Sequence, residues 1–206
     1  MKIAFLGGGA LSETIANLAQ RKGHDSVFGV RNQAATRESA FQRTDFRAAI
    51  AGADIVVIAV PYIAAAGVLA PLADVLANKI VIDPTNAVNE DWSPLMTGED
   101  CSGAEHIQAL LPGSRVVKAF NTIFVDVMQP EKMDRRGHKI SLFVASDDAN
   151  ASRAVMAWGD EIGFKAVNAG PLKSARYLEA VAHLNLELAF GQNDGTNTAM
   201  IYHQAE

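Results

Sequence analysis

Cysteine is almost absent: Cys101 stands alone among 206 residues, which excludes an intramolecular disulfide and leaves no Cys/His spacing of the kind that holds zinc. Positive charge is also sparse. The formal charge is -5 and no basic stripe runs along the chain, so nucleic acid is not an expected partner. Long apolar runs are few. Residues 55–73 carry no charged side chain, yet Pro61 and Pro71 divide them and Asp54 and Asp74 bracket them, so they read as a strand, a turn and a helix. The start of the chain does not read as a secretory leader, because glycines break the apolar stretch after Lys2 and Glu13 follows. A cytoplasmic protein without a membrane partner is the expectation. The five histidines are scattered, and no Ser-His-Asp set, Cys-His set, Tyr-x-x-x-Lys pair or metal-ligand cluster can be assembled, so no metal is expected.

Against these absences stands one strong local signal. An apolar strand over residues 1–6 runs directly into Gly7-Gly8-Gly9-Ala10-Leu11-Ser12, and a helical pattern follows at once. A strand that turns on glycines into a helix N-terminus holds a diphosphate: the glycines allow close backbone approach, and the free amides of the first turn face the anion. Gly7 and Gly9 supply the Gly-x-Gly pair, the amides of Gly9, Ala10 and Leu11 are the expected donors, and Ser12 fills the small third position. Glu13 places a negative charge beside that site, which offsets part of the helix-dipole benefit.

Strands and helices then alternate. Helical patterns cover residues 11–22, 34–41, 62–76, 102–110, 149–162 and 172–190, with a short helical turn at 47–51. Strand patterns cover 25–30, 42–46, 55–60, 79–83, 115–120, 140–146 and 164–167. Strands apolar on both faces and separated by helices imply a parallel sheet covered on both sides. The fold class expected is α/β, a Rossmann-type doubly wound parallel sheet with a small C-terminal α/β extension. Residues 1–124 form the dinucleotide-binding core and 125–206 an extension packed on it, with no linker or repeat between them.

The end of the second strand selects the dinucleotide. Enzymes that take NAD place an acid there for the adenine ribose hydroxyls, whereas this chain reads Gly29-Val30-Arg31-Asn32. Arg31 suits a ribose 2′-phosphate, since its guanidinium fork matches phosphate oxygens, and Arg37 is a candidate second cation. NADP is therefore the expected cofactor. Arg37, Arg43 and Arg47 read more readily as plain surface charge.

Three further segments fall where the carboxyl ends of the strands form a cleft: Val60-Pro61-Tyr62, Asp83-Pro84-Thr85-Asn86 and Lys118-Ala119-Phe120-Asn121-Thr122. Any one alone reads equally well as a strand terminus shaped by turn geometry; three converging behind a glycine turn read as a site. Val60, Pro61, Asn86 and Ala119 are expected at the cofactor, and Pro61, Tyr62, Lys118, Ala119 and Asn121 are candidates for positioning the reacting rings. A nicotinamide enzyme that reduces a ketone needs a proton donor beside the carbonyl oxygen. Transfer to a flavin-like ring needs mainly the alignment of two stacked rings. The scarcity of candidate acids favours the second.

These residues resemble the NADP-dependent reductases of the deazaflavin coenzyme F420. Gly7-x-Gly9, Arg31, Ala59-Val60-Pro61 and Lys118-Ala119-Phe120-Asn121 are similar to that family's signature segments. So is the longer segment Ala169-Gly170-Pro171-Leu172-Lys173-Ser174-Ala175-Arg176-Tyr177-Leu178-Glu179, which is no general Rossmann feature and is shared with the NADPH-flavin domain of endosomal metalloreductases. Val30 departs from the family, which often has a phosphate-contacting serine there. The resemblance implies a cytoplasmic homodimer that passes a hydride between NADP(H) and a deazaflavin or a flavin (FMN or FAD). Pro61 and Ala119 would border the rings, and Arg31 would recognise the 2′-phosphate. Two other readings remain: an NADPH-dependent reductase of a small carbonyl or imine with Lys118 or Tyr62 as proton donor, and a non-catalytic NADP sensor.

Overall fold

Consecutive residues of the first strand face opposite layers, and both layers are apolar. Strand β1 (Lys2–Leu6) sends Ile3 and Phe5 into one core cluster and Ala4 and Leu6 into the other. The computed structural model describes residues 1–32, 39–89, 91, 93–95 and 100–204. Along the chain β1 is followed by α1 (Ala10–Gln20), β2 (Asp25–Gly29), β3 (Gln42–Thr44), α2 (Phe46–Ala51), β4 (Ile55–Ile58), α3 (Tyr62–Leu69), α4 (Ala73–Leu76) and β5 (Ile80–Asp83). Then come α5 (Gly103–Leu110), β6 (Arg115–Lys118), the small hairpin β7 (Asp134–Arg135) and β8 (His138–Lys139), β9 (Ser141–Ala145), α6 (Ala149–Glu161), β10 (Lys165–Gly170) and α7 (Ala175–Leu186).

The main sheet has the order β10-β9-β6-β5-β4-β1-β2-β3. From β3 to β6 every pairing is parallel, and the order reverses beside β1, which opens a crevice at the carboxyl ends of β1 and β4. This is the expected Rossmann-type doubly wound α/β sheet. Strand β9 joins β6 antiparallel at the single pair Lys118↔Ala145, and β10 lies parallel to β9, so the last third of the chain lengthens the same sheet. Helices α1 and α6 cover one face with Ile15, Leu18, Val155 and Trp158, while α2, α3 and α5 cover the other with Ile50, Leu69 and Ile107.

Local chemistry explains where the elements depart from the sequence pattern. The helix expected over residues 62–76 is split: a 3-10 turn (Ala70–Leu72) separates α3 from α4, because Pro71 has no amide to continue the helix. Strand β3 stops at Thr44 because Asp45 caps α2, its carboxylate accepting from the Ala48 amide at 2.9 Å. The β7–β8 hairpin has no hydrophobic alternation to announce it; Arg136 and Gly137 make its turn with φ values of 58° and 88°. Much of the helix expected at 34–41 lies outside the described residues. Among the described residues no helix is long and apolar enough to cross a membrane.

Candidate functional site

The glycine turn is built by close packing. Gly7 has φ +134°, and a β-carbon there would lie 2.2 Å from the carbonyl oxygen of Ala59, so only glycine lets β1 pass β4 at this point. Ser12 is buried, and its hydroxyl donates to the Gly7 carbonyl at 2.8 Å, stitching the first turn of α1 to the strand end. Gly9 is the N-cap of α1 with no side-chain acceptor for the first-turn amides, and open space surrounds the position of its missing β-carbon. Uncapped amides facing open space are what an anion needs.

In front of this turn lies a cleft of about 760 Å³, within the size range of cofactor sites. Gly9, Ala10 and Leu11 line one end, and Val60, Pro61, Tyr62, Asn86 and Asn121 line its walls. All eight were expected at a site from the sequence. Phe120, Ile123, Phe124 and the α7 side chains Ala182, Asn185 and Leu186 complete it, with Phe190 just beyond that helix. Those α7 residues lie more than 60 positions beyond the strand ends, and sequence periodicity alone gives no signal for which face of a helix meets a cleft. Tyr62 is the one titratable side chain among the described residues of the lining. Burial, reinforced by the Glu179 and Asp83 carboxylates, raises its phenol above the ordinary value, and its hydroxyl lies 2.9 Å from Nδ1 of His106 on α5.

Asn121, one of the cleft-lining residues, is held by several hydrogen bonds. Its Nδ2 donates to Asn86 Oδ1 at 2.9 Å and to the Leu178 carbonyl at 3.1 Å, and Asn86 Nδ2 returns a bond to the Asn121 carbonyl at 2.9 Å. The ends of β5 and β6 are thereby tied to α7. Asn121 Oδ1 is buried without a hydrogen-bond partner. Phe120, the residue before it, has φ +69°, a conformation that costs a non-glycine residue on the order of 1 kcal/mol. Its ring is held edge-on to Trp158 and Phe164, at 5.8 and 5.7 Å, which keeps the backbone in that state.

Behind the wall lies a buried charge cluster. Lys118 is 0% exposed, and its Nζ donates to Asp83 Oδ2 at 3.0 Å, Glu179 Oε1 at 2.8 Å and the Thr85 carbonyl. Burial alone lowers a lysine pKa, but Asp83 and then Glu179 outweigh it and hold Lys118 above its ordinary value. Glu179 also accepts from the Gly103 and Ala104 amides at the N-terminus of α5, and Asp83 from the amide and hydroxyl of Thr85. A second tie joins the same helices: Arg176 grips Glu105 through two bonds of 2.9 and 2.8 Å, and Glu105 closes a capping box with Ser102. The Arg176 contact, with the Ser102 bonds, lowers the Glu105 carboxyl to about 2.

The remaining expected residues fall elsewhere. Lys118 and Ala119 are fully buried and do not line the cleft. Arg31 is exposed just past β2, with no hydrogen-bond or ion-pair partner among the described residues. Arg37 lies outside the described residues. Arg43, read as surface charge, is instead mostly covered: its side chain is 13% exposed and its Nη2 lies 3.8 Å from Glu13 Oε1 on α1.

Comparison with known proteins follows the same lines. Residues 2–87 match the family described as NADP oxidoreductase, coenzyme F420-dependent. The chain is 30% identical over 183 residues to the metalloreductase STEAP3 of Rattus norvegicus, covering 87% of this chain but only 36% of that protein. It is 26% identical over 212 residues to the F420-dependent NADP reductase of Methanocaldococcus jannaschii, covering 91% and 92% of the two chains. Among solved structures, that of a provisionally assigned F420-dependent NADP reductase from Arthrobacter sp. FB24 superposes with a TM-score of 0.88 at 26% identity, covering 99% of this chain and 100% of that one.

Proposed function

We propose that the chain is an NADP-dependent oxidoreductase similar to the coenzyme F420-dependent family and its reductase relatives, and that it passes a hydride between NADP(H) and a deazaflavin or flavin ring. One observation carries the choice of acceptor. The cleft is lined mainly by apolar groups with a few amides and hydroxyls, and among its described residues no Asp, Glu, Lys, Arg or His reaches it. A wall of this kind suits two stacked neutral rings, and it lacks the positioned acid that reduction of a carbonyl needs. Lys118, one of the two alternative donors, is sealed between two carboxylates. The Tyr62 hydroxyl is engaged with His106.

The residues present fit a nicotinamide dinucleotide. Gly9, Ala10 and Leu11 offer first-turn amides to the diphosphate, and Arg31 stands at the strand end where a 2′-phosphate sits. Pro61 and Tyr62 flank the ribose path, and the unpartnered Asn121 Oδ1 is an acceptor for an amide N–H on either ring. A bound dihydronicotinamide would supply the hydride with its electron pair, the accompanying proton being drawn from bulk solvent. The chain's own part is to seat the phosphates, exclude water with Phe120, Ile123 and Leu186, and hold the wall still through the Asn86–Asn121 pair. Tyr177, Leu184 and Leu188 are exposed along one side of α7 and its continuation, which supports a homodimer. A cytoplasmic setting, where NADPH is available, completes the reading.

The test is anaerobic mixing of the protein and NADPH with coenzyme F420, FMN or FAD. Loss of the acceptor's visible absorbance at a rate set by the protein is expected. Oxidation of NADPH by small aldehydes or imines, with the ring acceptors untouched, would replace this reading with the carbonyl or imine reductase. Tight binding without oxidation by any acceptor would leave a sensor.

A further inference from the structure

Two of the asparagines that line the cleft keep amide atoms that the protein itself leaves short of partners. Asn121 is 7% exposed and Asn185 4%. Main-chain carbonyls, which can only accept, fix the orientation of both amides. Asn121 Nδ2 faces the Leu178 carbonyl at 3.1 Å, so Oδ1 is the atom left buried without a donor. Asn185 Nδ2 faces the Thr122 carbonyl at 3.4 Å, and its Oδ1 takes the Thr198 hydroxyl at 3.5 Å. Both contacts are longer than the roughly 3 Å of an ordinary hydrogen bond, and the second N–H of that NH2 group is uncommitted. A buried acceptor left empty destabilises the fold, and a ligand N–H placed there recovers the loss.

The two amides share one corner. Thr122, whose carbonyl Asn185 faces, follows Asn121 in the chain, and Leu178, whose carbonyl Asn121 faces, lies on α7 with Asn185. An unpaired acceptor beside an uncommitted donor complements a planar edge that carries N–H next to C=O. The sheet sets this corner apart from the diphosphate turn. In the order β6-β5-β4-β1, β6 stands roughly 14 Å from β1 at the usual strand spacing. A nicotinamide is one ribose away from a diphosphate held over β1, which brings it to the ends of β4 and β5, where Pro61 and Asn86 line the cleft. The junction of β6 and α7 is a strand farther on, on the side left for the second ring.

We propose that Asn121 and Asn185 are specificity-determining residues that read the imide edge of the acceptor ring. Asn121 Oδ1 accepts from the ring N3–H, and Asn185 Nδ2 donates to the adjacent carbonyl oxygen. Flavins and deazaflavins share that edge, so the chemistry is common to both. The inference rests on the ring-acceptor reading and adds to it which part of the ring is selected. Quinones and simple dyes take a hydride but have no imide N–H. They would leave Asn121 Oδ1 unpaired, which is how a site built around a hydrogen bond rejects an analogue that lacks it. The bonds of Asn121 Nδ2 to Asn86 and Leu178 hold the amide plane in place beforehand, so little ordering is required when a ring arrives.

Fluorescence and calorimetric titration of the full chain, with NADP present, tests this without turnover. The probes are riboflavin, 5-deazariboflavin and their N3-methyl derivatives. Methylation removes the donor and sets carbon against Oδ1, so binding to the unaltered protein should weaken about tenfold or more. That comparison depends on no variant folding. Asn121→Leu should weaken the parent rings and erase the penalty, the parent and methylated forms then binding within about threefold of each other. Asn185→Leu should weaken both forms and leave the penalty. Asn86→Ala loosens the wall but keeps Oδ1 and its Leu178 tie, so the penalty should persist. Unchanged affinity for 2′,5′-ADP, which does not reach β6, shows that a variant is folded. Parent rings that bind with no N3-methyl penalty, or a penalty that survives Asn121→Leu, overturn the assignment while leaving the ring-acceptor reading intact. So does an Asn121→Leu loss confined to NADP, which would put the nicotinamide carboxamide at Oδ1. If neither ring binds the unaltered protein, both readings fall.

Discussion

Lys118→Met isolates the buried charge cluster from the cleft it supports. Methionine fills much of the lysine's volume and removes its charge, so Asp83 and Glu179 are left facing one another with 0% and 5% exposure. Removing one partner of a buried ion pair costs about 3–5 kcal/mol. In a domain of this size about 2–4 °C of melting temperature follows each kcal/mol, so the midpoint should fall on the order of 10 °C. Glu179→Gln leaves Lys118 paired with Asp83 and should cost less, about 1–3 kcal/mol. Urea unfolding of the three proteins reads both quantities. A deficit below about 1 kcal/mol for Lys118→Met, against the 3–5 kcal/mol of a broken buried pair, or an equal deficit for Glu179→Gln, would refute the account of this cluster.

Other perturbations follow from the same geometry. Gly7→Ala drives a methyl into the Ala59 carbonyl and should abolish dinucleotide binding and lower stability together, as measured by titration and melting. Ser12→Ala removes the hydroxyl bond to Gly7 and should cost about 1 kcal/mol in urea unfolding, with a weaker but measurable loss of NADPH affinity. Arg31→Ala should cost about 1.5–3 kcal/mol of NADPH affinity with little change for NADH, and an equal loss for both would remove Arg31 from the 2′-phosphate. Glu105 is held at about 2 by Arg176 together with the Ser102 bonds, so its stabilising contribution is present above the ordinary carboxylate pKa and is lost as pH falls toward 2; Arg176→Ala should lower stability at neutral pH and flatten its decline toward acid, seen in urea unfolding at several pH values.

The parallel α/β sheet and the glycine turn were legible because they rest on local patterns. Glycines at 7 and 9 after an apolar strand have few other physical uses, and β-branched runs such as residues 55–58 report burial on both faces. Arg31 stood out as a candidate by its place in sequence after β2. The covered position of Arg43 did not, since its burial depends on the β2–β3 register and on Glu13 from a different helix, neither of which leaves a periodicity. Lys118 looked like a site residue because it ends a strand beside the cleft. Its actual surroundings come from Glu179, 61 positions away. The segment from Ala169 to Glu179 was conspicuous as a pattern, and the structure supplies its physical content: Arg176 and Glu179 latch α7 onto α5 and β6, which sets the far wall of the cleft. Phe120's left-handed backbone was invisible for the same reason, as the rings that hold it arrive from α6 and the segment leading into β10.

Isotope transfer addresses the central claim without inference from rates. NADPH deuterated at the nicotinamide C4 position would be oxidised anaerobically by the protein in the presence of deazaflavin, and the reduced product analysed by mass spectrometry and NMR. Deuterium retained at C5 of the deazaflavin is the expected result, as the proposed direct transfer would place both rings in one water-excluding cleft. Reduced deazaflavin carrying only solvent hydrogen at C5, or no reduction at all alongside tight NADPH binding, would contradict it.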